Sequence, residues 1–247
     1  MQNTELLHRA DELHRRSLDR GIVTHTNFLT PAEQYTLEHL PHLRPALHLS
    51  GGFPEAERRM AFFLPDYLTA EDLEVADYIT AFHLRCRFAE IGHRDVLGSL
   101  LGLGLHRWSV GDIHAQGEEA WFFCLPSVAG MITRELTKIG RNGTDAREVP
   151  PDQVSFPERE RLALHFTVSS LRLDAVLAGT FNLSRTNAAE RIEGGTVQLN
   201  HTICEKPAAE LRPGDVFSLR SHGKARLAEV SGKSRKDRLR LVVEKYQ

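Results

Sequence analysis

The residues best suited to chemistry lie between Asn182 and Asn200, in the stretch NLSRTNAAERIEGGTVQLN. Ser184 stands just ahead of a run that places Ala188, Ala189 and Ile192 on one helical face. Its hydroxyl can cap that helix by accepting a first-turn amide, a contact worth about 0.5–2 kcal/mol. Leu183 and Ala188 have the spacing of a hydrophobic staple across the same start. A helix mouth presents unpaired N–H groups and about half a positive charge, which suits a phosphate. Arg185, Thr186 and Asn187 add donors at that spot, and Arg191 follows Asn187 by four residues on the side away from the alanines. This chemistry is recognition of a phosphate backbone.

Three other stretches imitate catalytic motifs. His93-Arg94-Asp95 has the lettering of a kinase catalytic loop, but Leu100 occupies the metal-binding Asn position, and no Gly-rich loop or Val-Ala-Ile-Lys strand precedes it. Gly98, Gly102 and Gly104 are not spaced as GxGxxG and fall within and after a helix, where capping and close packing explain them. Arg172-Leu173-Asp174 is the triplet that holds the catalytic aspartate of pseudouridine synthases, yet the small domain around it leaves no room for that fold, and Asp174 reads as structural. Only His39 and His42 approach a metal-ligand spacing, with Pro41 between them, and Cys86, Cys124 and Cys204 form no CxxC pair. The cysteines read as small buried hydrophobes. No catalytic residue, metal or cofactor is assigned, which favours a binding protein over an enzyme.

The 247 residues exceed the common single-domain range, and 41% apolar with 26% charged residues excludes both a disordered chain and a membrane class. The start, MQNTELLHRADELHRR, lacks the apolar centre of a signal peptide, so a cytoplasmic location is expected. The net charge of -2 conceals an asymmetry: residues 166–247 carry 14 Lys+Arg against 9 Asp+Glu, and the preceding 165 carry 17 against 24. The basic end suggests a polyanion partner, and the acidic remainder a protein partner.

These groups need elements to hold them. Residues 1–75 are expected to form an N-terminal α/β domain: Leu6, Ala10 and Leu13 recur at helical spacing, Thr30-Pro31-Ala32-Glu33 is a capping box, and a Gly-Gly turn precedes Arg58 and Arg59, which could face a phosphate. In FHLRCRF, Phe82, Leu84, Cys86 and Phe88 alternate with His83, Arg85 and Arg87, the period of a half-buried strand. A helix from about Arg94, the strands WSVGDIHA and EAWFFCLP, and a stripe of Val128, Ile132, Leu136 and Ile139 follow. One further strand would complete, over 76–150, the ferredoxin-like split βαβ unit that RNA-recognition modules share. Its strands lack those modules' aromatic signature, so Arg58, Arg59, Arg85, Arg87, His93 and Arg94 are secondary RNA-binding candidates. Pro-rich REVPPDQVSFPERE marks a boundary, with 151–165 as linker. Ser170 should then cap a helix that stops at Gly179, Gly194-Gly195 should turn the chain out of the next helix, and TVQLN should pair with TIC through an Asn200-His201 turn.

The succession RLDAVL, LSRTNAAERIEGGTVQLN, EKPAAELRPGDVFSLR closely resembles the S-four type RNA-binding domain, in which two helices and a hairpin form an αL-type surface for structured RNA. His201 departs from the Asn-Gly turn common there. The resemblance assigns RNA contact to Arg172, Ser184, Arg185, Thr186, Asn187 and Arg191, with Lys206 and Arg220 beside them, and the basic segment beyond adds Lys224, Arg226, Lys233, Arg235, Lys236, Arg238 and Arg240. In RLRLV the leucines face one side and Arg238 and Arg240 the other. Together with SGGFPEAERRMAFFLP, GHRDVLGSLLGLGLHRWSVGDI and ITRELTKIGR, the chain resembles the YlmH family of bacterial proteins over nearly its whole length. That likeness implies an α+β fold: an N-terminal α/β region, an RRM-like middle domain and, over 166–247, a C-terminal S-four domain. It also implies partners, large-subunit rRNA and tRNA, in ribosome-associated quality control, where some members hold peptidyl-tRNA while a stalled chain is tailed. Other members are named for cell-division genes. An RNA-modifying enzyme that borrows the small domain for targeting, or a cell-division interaction protein, are the alternative readings.

Overall fold

The computed structural model describes residues 3–87, 89–154, 156, 161–234 and 236–246; Phe88 and Arg235 lie outside that set. The chain forms two compact units, Met1–Phe156 and Pro157–Gln247.

In the first unit, α1 (Asn3–Arg20) buries Leu6, Ala10 and Leu13 against Leu37, Leu43 and Phe63. Strand β1 (Thr24–His25) leads to α2 (Pro31–Glu38), opened by the expected box: the Glu33 amide donates to Thr30 Oγ1 at 3.4 Å and the Thr30 amide to the Glu33 carboxylate at 2.7 Å. With β2 (Leu47–Ser50) and β3 (Met60–Phe63) these make an antiparallel sheet ordered β1-β3-β2. Strand β4 (Thr80–Arg85), α3 (His93–Gly102), β5 (Val110–Gln116), β6 (Glu119–Cys124), α4 (Pro126–Glu135), the small hairpin β7 (Lys138–Ile139) and β8 (Asn142–Gly143), and β9 (Asp145–Val149) follow.

The order β5-β6-β4-β9, antiparallel throughout, is the split βαβ sheet, completed by β9. Phe82, Leu84 and Cys86 face α3 and α4, meeting Val96, Leu100 and Ile132. The other side of this sheet, at Ala81 and Phe123, packs on Phe28, Met60 and Phe62. The expected break at 75/76 is therefore filled by a shared core. The apolar stripe of α4 also overran its helix: the helix stops at Glu135, and Ile139, though buried, belongs to β7. Cys86 and Cys124 are buried, and burial pushes the Cys124 thiol up to about 12, whereas Cys204 is only half-buried.

The second unit begins earlier than the sequence indicated. Strand β10 (Arg161–Val168) takes in residues 161–165 of the expected linker and pairs along its length with β15 (Leu239–Tyr246). Between them come α5 (Leu173–Phe181), α6 (Arg185–Glu193), the hairpin β11 (Val197–Leu199) and β12 (Thr202–Ile203), β13 (Val216–Leu219) and β14 (Gly223–Lys233). The sheet order is β10-β15-β14-β13-β11-β12. Leu173, Val176, Leu177, Ala188 and Ile192 close one face of it over Phe217, Leu227 and Val243. Asn200 and His201 both take positive φ, 48° and 66°, so the histidine enters the two-residue turn that Asn-Gly would otherwise supply. Only the second glycine of Gly194-Gly195 is left-handed, at φ 67°.

Two expectations about α5 fail. Ser170 does not cap it, since the N-cap is Arg172, and Gly179 does not end it; the helix runs to Phe181 and stops at Asn182 in the left-handed region. Gly179 is required by packing, because a Cβ there would lie 2.4 Å from the Phe166 ring on β10. Gly179→Ala should therefore destabilise the fold. Alanine gains about 1 kcal/mol of helix propensity, but overpacking a closed contact costs about 1–3 kcal/mol. The expected readout is a lower denaturation midpoint by circular dichroism, and a raised midpoint would contradict the packing role.

Candidate nucleic-acid interface

The α6 start is built as its residues dictate. Ser184 is extended, and its Oγ accepts the Asn187 amide at 3.1 Å. The Arg185 and Thr186 amides keep no protein partner among the described residues. The α5 start differs, because the Leu173 and Asp174 amides donate to the Ala209 and Pro207 carbonyls at 2.8 and 3.1 Å. That contact seats the loop bearing exposed Lys206 beside Arg172.

Asp174 ties the two helices together. It is 3% exposed. It accepts Arg172 Nη2 at 2.7 Å and Nε at 3.2 Å, and Arg185 Nη2 at 3.3 Å. Burial alone would raise this carboxyl, but hydrogen bonds from Arg172 and then Arg185 outweigh it and hold the group below the usual carboxylate range. The two guanidinium groups remain about half exposed, at 40% and 52% of their side chains. A buried anion thus fixes two outward cations next to an open helix N-terminus, a geometry suited to sugar-phosphate oxygens. The sequence marks Asp174 as structural but does not reveal this clamp. Its signal was the Arg-x-Asp spacing followed by an arginine at a helix start.

Thr186 is exposed, Asn187 and Arg191 are half-buried, and Arg220 is exposed, its amide donating to the Thr196 carbonyl at 3.1 Å. Lys224 and Arg226 do not join this face. In β14, Lys224 and Arg226 alternate with buried Ala225 and Leu227, so they lie on the side of the sheet away from α5 and α6. Arg226 is committed to Glu244 at 3.0 Å, and Lys224 sits 5.2 Å from the Tyr246 ring. Lys233 pairs with Asp237 at 2.8 Å, and Arg238 donates to the Thr167 carbonyl at 2.7 Å. Lys236 and Arg240 are exposed, and Arg235 lies outside the described residues.

In the first unit, Arg58 is chiefly a brace: Nε donates to the Val110 carbonyl at 3.1 Å and Nη2 to the Phe28 and Arg107 carbonyls at 3.0 and 3.3 Å, which leaves Nη1 alone without a partner among the described residues. Arg59 Nε donates to the Ala56 carbonyl at 2.7 Å. Arg87, His93 and Arg94 are exposed, Arg85 lies 3.9 Å from Glu119, and His83 stacks on Trp121 with centroids 4.8 Å apart.

Two short helices, a clamped arginine pair and a following hairpin define an RNA-binding module of the S-four class, and residues 171–217 match the family model described as S4 domain. Residues 70–153 match the model described as putative RNA-binding domain in YlmH. The "Ribosome-associated protein quality control protein P2" of Bacillus subtilis (strain 168) is 31% identical over 225 residues, covering 90% of this chain and 87% of that protein. The chain belongs to the YlmH family. A solved structure titled "Cell division protein ylmH from Streptococcus pneumoniae" is similar in fold, with a TM-score of 0.53 at 22% identity over 63% of this chain and 96% of that one. Among the described residues no helix is long and apolar enough to cross a membrane.

Proposed function

We propose that this protein is a non-catalytic factor that docks its S-four domain on large-subunit rRNA and supports peptidyl-tRNA during quality control of stalled nascent chains. The observation that carries the reading is the Asp174-held pair Arg172 and Arg185 beside the unpaired α6 amides. The name of the B. subtilis relative supports the ribosomal setting. Sugar-phosphate contacts fix register on folded RNA, and they need only positioned donors. An RNA-modifying role for Asp174 is disfavoured, because both its oxygens are taken by arginines and its side chain is 5% exposed. The test is sedimentation through sucrose with purified large subunits, with and without peptidyl-tRNA in the peptidyl site. Co-pelleting at low salt, strengthened by the tRNA, is expected, and absence from the pellet overturns the reading. Any nucleotide converted by the pure protein in ribosomal RNA overturns the non-catalytic part.

A further inference from the structure

A cavity of about 270 Å³ opens in the first unit between α1, the segment from His25 to Thr30, and the turn bearing Arg107 and Trp108. Arg9, Arg58 and Arg107 line it against one carboxylate, Glu33. That carboxylate is already engaged by the Thr30 amide at 2.7 Å and hydroxyl at 2.8 Å. Arg107 gives Nη1 to the Val110 and Gly111 carbonyls. Its Nε and Nη2, and Nη1 of Arg58, have no hydrogen-bond partner among the described residues.

Burial, reinforced by Arg58, brings the Arg107 guanidinium down to about 10, and Asp112 offsets only part of this. Asp112 itself accepts the Glu57 and Arg58 amides at 2.6 and 3.1 Å. Two cations half removed from water beside each other are relieved by an incoming anion. Next to them Trp108 keeps 42% exposure while His106 stacks on it, centroids 5.1 Å apart and planes 13° from parallel. The indole is steadied on one side and open to a second flat partner.

We propose that this cavity binds a nucleotide, its phosphate on Arg58 and Arg107 and its base against Trp108. A free mononucleotide and an unstacked residue of single-stranded RNA carry the same chemistry; the second source rests on the RNA-binding reading above.

The chain has two tryptophans, Trp108 and Trp121, so Trp121→Phe leaves Trp108 as the only indole reporter. The full chain carrying that change is titrated with 5′-AMP, adenosine and a five-residue oligoadenylate. AMP should quench the emission saturably, and adenosine, lacking the phosphate, should bind at least about tenfold more weakly. Arg107→Gln should weaken AMP about tenfold, the low end for a charge-assisted hydrogen bond. Arg107 also holds two backbone carbonyls, so Arg9→Gln is the second variant: Arg9 is exposed on the cavity rim, with only its Nη1 on Glu12 at 2.9 Å, and its loss should weaken AMP measurably. Oligoadenylate that binds more tightly than AMP and is displaced by it assigns the site to RNA; equal binding assigns it to the free nucleotide. AMP binding should survive Arg185→Glu with Arg191→Glu, which separates failure here from failure of the S-four reading. No saturable quenching by AMP, equal quenching by adenosine, or indifference to both arginine substitutions overturns the proposal.

Discussion

Arg185→Glu combined with Arg191→Glu is expected to weaken binding to purified large subunits about 100-fold or more at moderate salt. Both residues lie on α6, Arg185 exposed at its open mouth and Arg191 half-buried in its last turn. Reversal would turn two attractions into two repulsions on a surface proposed to bind through phosphate neutralisation. The loss should shrink as salt rises, because screening weakens contact and repulsion alike. The single changes to Gln give a finer check. Each should lower the slope of log K against log salt by about 0.9 if its contact is to a duplex phosphate. Binding isotherms by sedimentation at three salt concentrations measure both quantities, and unchanged slopes would place the contacts elsewhere. Because Arg185→Glu sets a second carboxylate against Asp174, circular dichroism must first show that the double variant keeps its fold.

Asp174→Asn should have the largest effect that combines stability with affinity. The carboxylate accepts three hydrogen bonds from two cations while buried. Hydrogen bonds to charged groups contribute about 1.5–3 kcal/mol, and the half-exposed arginines regain water when released, so a loss of about 1–3 kcal/mol is expected. RNA affinity should fall about tenfold even where the variant is fully folded, because Arg172 and Arg185 no longer share a fixed geometry. The pH dependence has a definite sign. The folded carboxyl lies below its ordinary value, so its contribution is complete above an unfolded pKa of about 3.9 and is lost as pH falls through the folded value. The stability difference between the native chain and Asp174→Asn should therefore be constant near neutrality and close below about pH 4. Denaturant melts at several pH values test this, and a difference that persists in acid would show that the clamp is not electrostatic.

What the sequence disclosed was local chemistry. The Thr30–Glu33 box, the Ser184 cap and the α1 stripe depend on residues within a turn or two of each other. The alternation of Phe82, Leu84 and Cys86 likewise marked its strand directly. What stayed hidden depended on distant partners. Gly179 looks like a helix stop until Phe166 is seen lying against its missing Cβ. Strand β10 looks like linker because its partner β15 is about 80 residues on, with Arg161 opposite Tyr246. The bracing by Arg58 stays hidden because the carbonyls it holds, on Phe28 and Val110, are 30 and 52 residues away. In the candidate interface the α6 donors were legible from the cap, whereas the separation of Lys224 and Arg226 onto the far side of the sheet follows only from which neighbours are buried.

A cryo-electron microscopy map of this protein on a large subunit carrying peptidyl-tRNA asks the central question most directly. The account predicts the mouth of α6 against an RNA backbone, with the Arg172 and Arg185 side chains on consecutive phosphates and Asp174 behind them. A map in which that face looks into solvent while another surface of the chain holds the particle would contradict it.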